Sequence, residues 1–241
     1  MPNIVEKMTI NYSPNFNSTR RHKKKIKYLI FHYTGMKNDN LAIKKLTSQK
    51  SKVGCHYYIK KNGKLIHMVP DLYAAWHAGK SNWKKDKLLN KNSIGIEISN
   101  PGHFHGYKKF NAKQISCLIK ISKILIKKYK ISKENILGHS DIAPLRKLDP
   151  GEKFPWKLLS KNNIGLWHKL NLNSLKKLRG KKSELKLNLF LKKLNKFGYC
   201  INYSNKLELK KVIKSFQRRF RPELINGKLD KECLKIIKSL I

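Results

Sequence analysis

The residues best suited to chemistry lie in a turn-rich segment, residues 138–151, and at one position far upstream. The segment reads GHSDIAPLRKLDPG and contains His139, Lys147 and two aspartates. The upstream residue, His32, ends an apolar run in the sequence FHYT. Two histidines and one carboxylate are a ligand set suited to a catalytic zinc ion with one open coordination position. This combination predicts a zinc hydrolase.

Each of these residues also has an ordinary structural explanation. His32 is compatible with a core histidine at a strand end, and His139 is compatible with a cap of the turn that follows it. Asp149 precedes a Pro-Gly pair and is in that respect a typical turn former. The presence of all three in one chain, together with Glu97 on a predicted strand, favours a joint chemical role.

Predicted strands position these side chains. Residues 26–34 are apolar and β-prone, and they predict a core strand that ends close to His32. Residues 93–99 alternate, so that three isoleucines point to one face while Glu97 points to the other with little bulk beside it. A third, short strand leads directly into the segment that contains His139.

The rest of the N-terminal part completes a mixed fold. Apolar residues at helical spacing predict helices over 38–49 and 111–129. An Asn-Gly pair between two apolar segments predicts a hairpin over 55–69. Strands that alternate with helices predict an α/β fold, with a central mixed β-sheet flanked by helices. Ligands in such sheets bind beyond the strand ends.

The C-terminal part has a different character. Its pattern predicts three short helices, over 183–197, 206–220 and 230–240, and no polar cluster suited to catalysis. We therefore expect two domains. The first, residues 1–167, is catalytic and includes an N-terminal extension over 1–24. The second, residues 168–241, is a small helical domain.

Six segments, in order, carry a family resemblance. The chain resembles the zinc-dependent N-acetylmuramoyl-L-alanine amidases of the AmpD/AmiD type, whose catalytic domain is related to peptidoglycan recognition proteins. The similarity spans roughly residues 25–167. The matching segments are FHYT (31–34), HYYI (56–59), AWHAG (75–79), SIGIE (93–97), the segment 138–151 and FPW (154–156).

The resemblance implies a ligand set and a catalytic pair. It implies that His32, His139 and Asp149 bind Zn²⁺, and that Glu97 and Lys147 are catalytic. The implied reaction is hydrolysis of the amide between N-acetylmuramic acid, or its anhydro form, and the L-alanine of the stem peptide. The implied partner is therefore peptidoglycan or a muropeptide.

These roles agree with elementary chemistry. A zinc ion with three protein ligands lowers the pKa of its bound water towards ~7 and polarises a carbonyl group. Glu97 is suited to take the proton of that water and deliver it to the leaving nitrogen. Lys147 is suited to stabilise the oxyanion, a contact that is worth roughly 3–4 kcal/mol in comparable sites.

Four further residues are candidates for substrate binding. Trp76, His77 and Asn100 lie in predicted loops beside the motifs, where they are expected to line the substrate groove. Arg146 offers a planar fork of donors for a stem-peptide carboxylate. A surface salt bridge is the alternative explanation for Arg146.

The C-terminal sequence carries a second, shorter resemblance. Residues 216–222 read FQRRFRP and are followed by an Asn-Gly pair and Asp230. This pattern resembles the second half of a three-helix peptidoglycan-binding module. Phe216 and Phe220 are spaced i,i+4 and would be core residues in any helix pair, so a purely structural extension remains the alternative.

Composition limits the partners. The chain has 55 basic and 14 acidic residues, a net charge of +41 that attracts polyanions in general. The lysines are scattered and no nucleic-acid motif is present, so we expect no specific nucleic-acid partner. The four cysteines contain no CxxC pair and predict no disulfide scaffold. Cys117 and Cys233 fall on apolar faces of predicted helices, where they are expected to be small buried hydrophobes.

Residues 1–19 contain no continuous apolar run, which predicts neither a signal peptide nor a membrane span. We therefore expect a cytoplasmic protein, with the periplasm as the alternative, because the C-terminal module favours longer wall material. A non-catalytic peptidoglycan recognition protein is the main functional alternative. Such a protein would lack a metal ligand or a catalytic residue, and all five are present here.

Overall fold

A computed structural model describes residues 8–181, 187–201 and 204–241 of the chain. Its main element is a six-stranded mixed sheet with strand order β1-β5-β4-β9-β3-β10, and two two-stranded ribbons pair β2 with β6 and β7 with β8. The strands are β1 (Thr9–Ile10), β2 (Phe16–Asn17), β3 (Tyr28–Tyr33), β4 (Tyr57–Ile59), β5 (Leu65–His67), β6 (Ala74–Ala75), β7 (Asn82–Trp83), β8 (Asp86–Lys87), β9 (Ser93–Ile98) and β10 (Ile136–Gly138).

Helices cover the sheet, as the α/β prediction requires. The helices of the described residues are α1 (Asp39–Thr47), α2 (Ala112–Tyr129), α3 (His139–Ile142), α4 (Trp156–Lys161), α5 (Leu172–Lys176), α6 (Leu187–Phe197), α7 (Lys206–Phe220) and α8 (Lys231–Ser239). The predicted mixed sheet with flanking helices is confirmed. None of the described helices is long and apolar enough to cross a membrane.

Strand β9 has one apolar face, which packs in the core, and an opposite face that carries Glu97. Its three isoleucines are fully buried in a cluster with Leu118 and Leu125 of α2. Helix α2 begins at a capping box in which Asn111 and Gln114 satisfy each other's backbone N–H groups. The predicted alternation of residues 93–99 is therefore confirmed, and the opposite face of the strand is left for polar residues.

The register of the parallel strands gathers the candidate residues. Strand β3 pairs with β9 so that His32 lies directly opposite Glu97. On the other side of β3, Gly138 of β10 pairs with Phe31, so that His139 follows at the level of His32. The carboxyl ends of three parallel strands therefore meet at one edge of the sheet, where ligands of α/β proteins bind.

The C-terminal helices share an apolar core with the sheet. One cluster of buried residues joins Tyr28, Leu137 and Ile142 to Phe190 of α6 and Phe216 of α7. The predicted helices over 206–220 and 230–240 are present as α7 and α8. The predicted helix over 183–197 is present from Leu187 onward, and its first residues lie outside the described ranges, as do residues 1–7 of the expected N-terminal extension. The division into two domains at residue 168 stays a prediction.

Candidate metal centre

Three donor atoms from separate parts of the chain converge at the edge of the sheet. The Nδ1 atom of His32 lies 3.0 Å from Nδ1 of His139 and 3.0 Å from Oδ2 of Asp149. The Nδ1 atom of His139 lies 3.1 Å from the same carboxylate oxygen. All three residues are buried. A backbone hydrogen bond of 2.8 Å from Ser140 N to Asp149 O ties the two ends of the loop together.

The hydrogen bonds and charges around His32, His139 and Asp149 suit a divalent cation. The Nε2 atom of His139 lies 3.1 Å from the carbonyl oxygen of Ala78, which only accepts, so the tautomer that satisfies this bond has its lone pair on Nδ1. Burial, followed by the charge of His139, lowers the pKa of His32 to about 4. Burial alone would raise the pKa of Asp149, but the charges and hydrogen bonds of both histidines hold it below its ordinary value. Two imidazole nitrogens and a carboxylate oxygen therefore lie within 3.1 Å of one another.

A set of two imidazole nitrogens and one carboxylate oxygen suits first-row divalent metals, and a cation between them removes the repulsion of their lone pairs. These atoms also belong to the only group of three or more potential metal ligands found among residues 8–181, 187–201 and 204–241. The structure therefore contains a possible metal site at His32, His139 and Asp149.

A cleft of about 440 Å³ opens beside the metal site. Both predicted catalytic side chains, Glu97 and Lys147, line it together with His139 and Asp149. Lys147 is half-buried, and its backbone N–H donates to the carbonyl of Ala143 over 3.0 Å. The short turn that this bond closes lies between His139 and Asp149 in the sequence and carries Lys147 to the cleft.

Glu97 has the environment of an acid–base group. Its side chain is buried, and no partner for Oε2 exists among the described residues. Burial, and after it the negative charge of Asp149, raise the pKa of Glu97 well above its ordinary value, while Lys147 acts in the opposite direction. A carboxyl group with a raised pKa and an oxygen without a partner at a cleft is a candidate acid–base group.

The four predicted groove residues divide into two pairs. His77 and Arg146 line the cleft, whereas Trp76 and Asn100 are not among its lining residues. Trp76 donates its indole N–H to Oδ1 of Asn17, and Asn100 orders a loop through a 2.8 Å bond from its Nδ2 atom to the carbonyl of Lys108. Substrate binding by Trp76 and Asn100 stays a prediction that their contacts do not support.

His77 and Arg146, which line the cleft, already form hydrogen bonds with other groups of the protein. Arg146 donates from Nε to the carbonyl of Lys80 over 3.0 Å and from Nη2 to the carbonyl of Ala78. These bonds, rather than a surface salt bridge, fix the guanidinium. Both ring nitrogens of His77 have partners 3.0 Å away, in His32 and in Ser93. Their roles towards substrate likewise stay predictions.

Sequence reasoning missed two residues at the rim of the cleft. Phe104 lies on a short turn (His103–His105) and is 88% exposed. Lys45 lies on α1, and both side chains line the cleft. In a chain this rich in lysine nothing distinguished Lys45, and the apolar character of Phe104 was hidden between two histidines.

The comparison with known proteins decides the family. The model of the N-acetylmuramoyl-L-alanine amidase family matches residues 22–152, more than half of the chain. The chain belongs to this family. Among curated proteins, the amidase is similar to N-acetylmuramoyl-L-alanine amidase AmiD of Escherichia coli K12, with 35% identity over 231 residues that span 90% of this chain and 83% of the relative. The family resemblance predicted from the six motifs is confirmed.

Solved structures agree over nearly the whole amidase chain. The E. coli AmiD complex with the substrate anhydro-N-acetylmuramic acid-L-Ala-D-γ-Glu-L-Lys has a TM-score of 0.80 and 34% identity, covering 93% of this chain and 91% of that one. AmpDh3 of Pseudomonas aeruginosa in complex with an anhydromuramic pentapeptide has a TM-score of 0.79 and 29% identity, covering 96% and 97%. The matched region therefore includes the C-terminal helices.

Proposed function

We propose that the amidase is a zinc-dependent hydrolase of the bond between N-acetylmuramic acid, or its anhydro form, and the L-alanine of the stem peptide. The observation that carries this proposal is the convergence of three buried donor atoms within 3.1 Å of one another beside the free oxygen of Glu97. The solved complexes of two relatives contain anhydromuramic peptides, which supports the same substrate class here.

The residues divide the work between binding the ion and moving protons. His32, His139 and Asp149 would hold the zinc ion, which supplies Lewis-acid polarisation of the scissile carbonyl and activation of water. Oε2 of Glu97 accepts a proton from the attacking water and passes it to the leaving nitrogen. The ammonium group of Lys147 stabilises the negative charge that develops on the carbonyl oxygen, by roughly 3–4 kcal/mol.

The alternative of a non-catalytic recognition protein is disfavoured by Glu97. A protein that only binds muropeptides has no need of a buried carboxyl with a raised pKa beside the metal ligands. The compartment, cytoplasmic or with the periplasm as the alternative, stays a prediction.

The test is a product analysis with a defined anhydromuropeptide. The protein is loaded with zinc or treated with a chelator, incubated with the substrate and analysed by mass spectrometry. We expect free stem peptide and anhydromuramic acid saccharide only in the zinc-loaded sample. Intact substrate in both samples, with zinc shown to be bound, would contradict hydrolysis and favour the recognition protein. Equal turnover in both samples would contradict zinc dependence.

A further inference from the structure

A line of hydrogen bonds leads away from the metal site into the protein. The Nε2 atom of His32, on the side of the ring opposite the site, lies 3.0 Å from Nδ1 of His77. The Nε2 atom of His77 lies 3.0 Å from the hydroxyl of Ser93, which is 2.5 Å from the carbonyl oxygen of Leu89. His32, His77 and Ser93 are all buried.

The carbonyl oxygen of Leu89, at the end of this line, determines which atom donates in each of the hydrogen bonds. A carbonyl oxygen only accepts, so the single hydroxyl proton of Ser93 is donated to Leu89. The hydroxyl oxygen must then accept from Nε2–H of His77, which leaves a lone pair on Nδ1 of His77. That lone pair accepts from Nε2–H of His32. As a result Nδ1 of His32 is unprotonated and presents its lone pair to the metal site.

We propose that His77 is a positioning residue that, together with Ser93 and the carbonyl of Leu89, fixes the tautomer and orientation of the ligand His32. This inference rests on the proposed function, since it assumes that His32, His139 and Asp149 bind a metal. Hydrogen-bond partners on the far ring nitrogen orient metal-bound histidines in other proteins, and their loss weakens metal binding roughly 10–100-fold.

The packing around His77 supports this role. A Cβ atom added to Gly95 would lie 2.4 Å from Cγ of the His77 ring, so the glycine leaves the space that the ring fills. The rings of His77 and His32 meet edge to face at 83°, with centroids 5.1 Å apart. Oδ1 of Asn90 accepts from the backbone N–H groups of His77 and Ala78 over 3.1 and 2.7 Å. The ring is therefore held from several sides.

One face of strand β9 serves the site at three successive positions. Ser93 ends the hydrogen-bond line, Gly95 accommodates the His77 ring, and Glu97 faces the cleft.

The experiment measures zinc affinity by competition with a chromophoric chelator, and ring-nitrogen NMR of the metal-free protein. Ser93→Ala removes the acceptor for His77, and His77→Leu removes the partner of His32. We expect each to weaken zinc binding at least tenfold and to abolish the single Nε2–H tautomer of His32. His77→Asn retains an acceptor at the δ position, so we expect it to bind zinc more tightly than His77→Leu.

Ser81→Ala is the matched control. This buried serine accepts from the N–H of Leu89 over 3.0 Å but lies outside the line, so we expect wild-type zinc affinity and tautomer. Unchanged affinity and tautomer in Ser93→Ala would overturn the proposal, as would equal losses in His77→Asn and His77→Leu. Failure of the wild-type protein to bind zinc would refute the proposed function, while the NMR of the metal-free protein would still test the line of hydrogen bonds.

Discussion

Replacing Arg219 of α7 with methionine is expected to destabilise the protein strongly, because Arg219 pairs with a buried carboxylate two residues from the candidate metal ligand His139. The guanidinium donates to Oδ2 of Asp141, and the two side chains are 2% and 1% exposed. Nη2 also donates to the carbonyl of Ile136 over 3.1 Å. Removal of one partner of a buried ion pair typically costs about 3–5 kcal/mol, because the other charge stays buried without compensation.

The structure places the expected loss near the lower end of that range. Asp141 keeps two other donors, the backbone N–H of Gly138 at 2.8 Å and the hydroxyl of Tyr199 at 2.5 Å. Methionine keeps the apolar length of the side chain, although it loses the cation–π contact that the Arg219 guanidinium makes 4.1 Å from the centroid of the Trp156 ring. We therefore expect a decrease of about 3 kcal/mol in the free energy of unfolding.

Urea denaturation at pH 7 measures this loss. Arg20→Met, which removes an exposed arginine, is the matched control and is expected to change stability by less than about 0.5 kcal/mol. Adding Asp141→Asn to Arg219→Met removes the stranded charge, so the double variant should lose less than the sum of the two single variants. A loss below about 1 kcal/mol for Arg219→Met would refute the reasoning that this pair is desolvated.

Three further outcomes follow from the site. Glu97→Gln should lower turnover by about 10²–10⁴-fold with zinc content unchanged; loss of the metal would instead make Glu97 a ligand. Lys147→Met should lower kcat by roughly 10²–10³-fold with a much smaller change in KM, and an effect on KM alone would contradict oxyanion stabilisation. Burial, followed by the charge of Arg21, lowers the pKa of His56 to about 3. As the pH falls, His56 therefore takes up its proton in the unfolded state at a higher pH than in the folded state. Stability measured by stepwise urea titrations should therefore fall from about pH 6.5 towards pH 3, by about 1.4 kcal/mol per pH unit for this group. A flat profile would contradict burial of a neutral His56.

The local patterns in the sequence were sufficient for the elements and for the candidate ligands. The alternation of residues 93–99 predicted which face of β9 carries Glu97, because side chains in a strand alternate strictly. The Asn-Gly pair predicted the hairpin, and β4 and β5 are antiparallel strands on either side of it. The six motifs identified the family, and with it the predicted ligands His32, His139 and Asp149, which the structure brings together.

Long-range pairing was beyond those patterns. The sequence of β3 does not specify that His32 lies opposite Glu97, since register depends on which strands become neighbours. The sequence placed His77 in a loop that lines the groove. In the structure its ring fills the space left by Gly95 and contacts His32 inside the protein, which the local sequence does not specify. Asp141 lies in the same segment as the ligands, and only the packing of α7 shows that it faces Arg219 rather than the metal site.

The most direct test of the central claim is the position of zinc in crystals of the zinc-loaded protein, located by anomalous diffraction. We expect a single strong peak about 2 Å from Nδ1 of His32, Nδ1 of His139 and Oδ2 of Asp149, with the carboxyl of Glu97 in the cleft beside it. A peak bound by other residues, or imidazoles of His32 and His139 that turn away from each other in the zinc-loaded crystal, would contradict it.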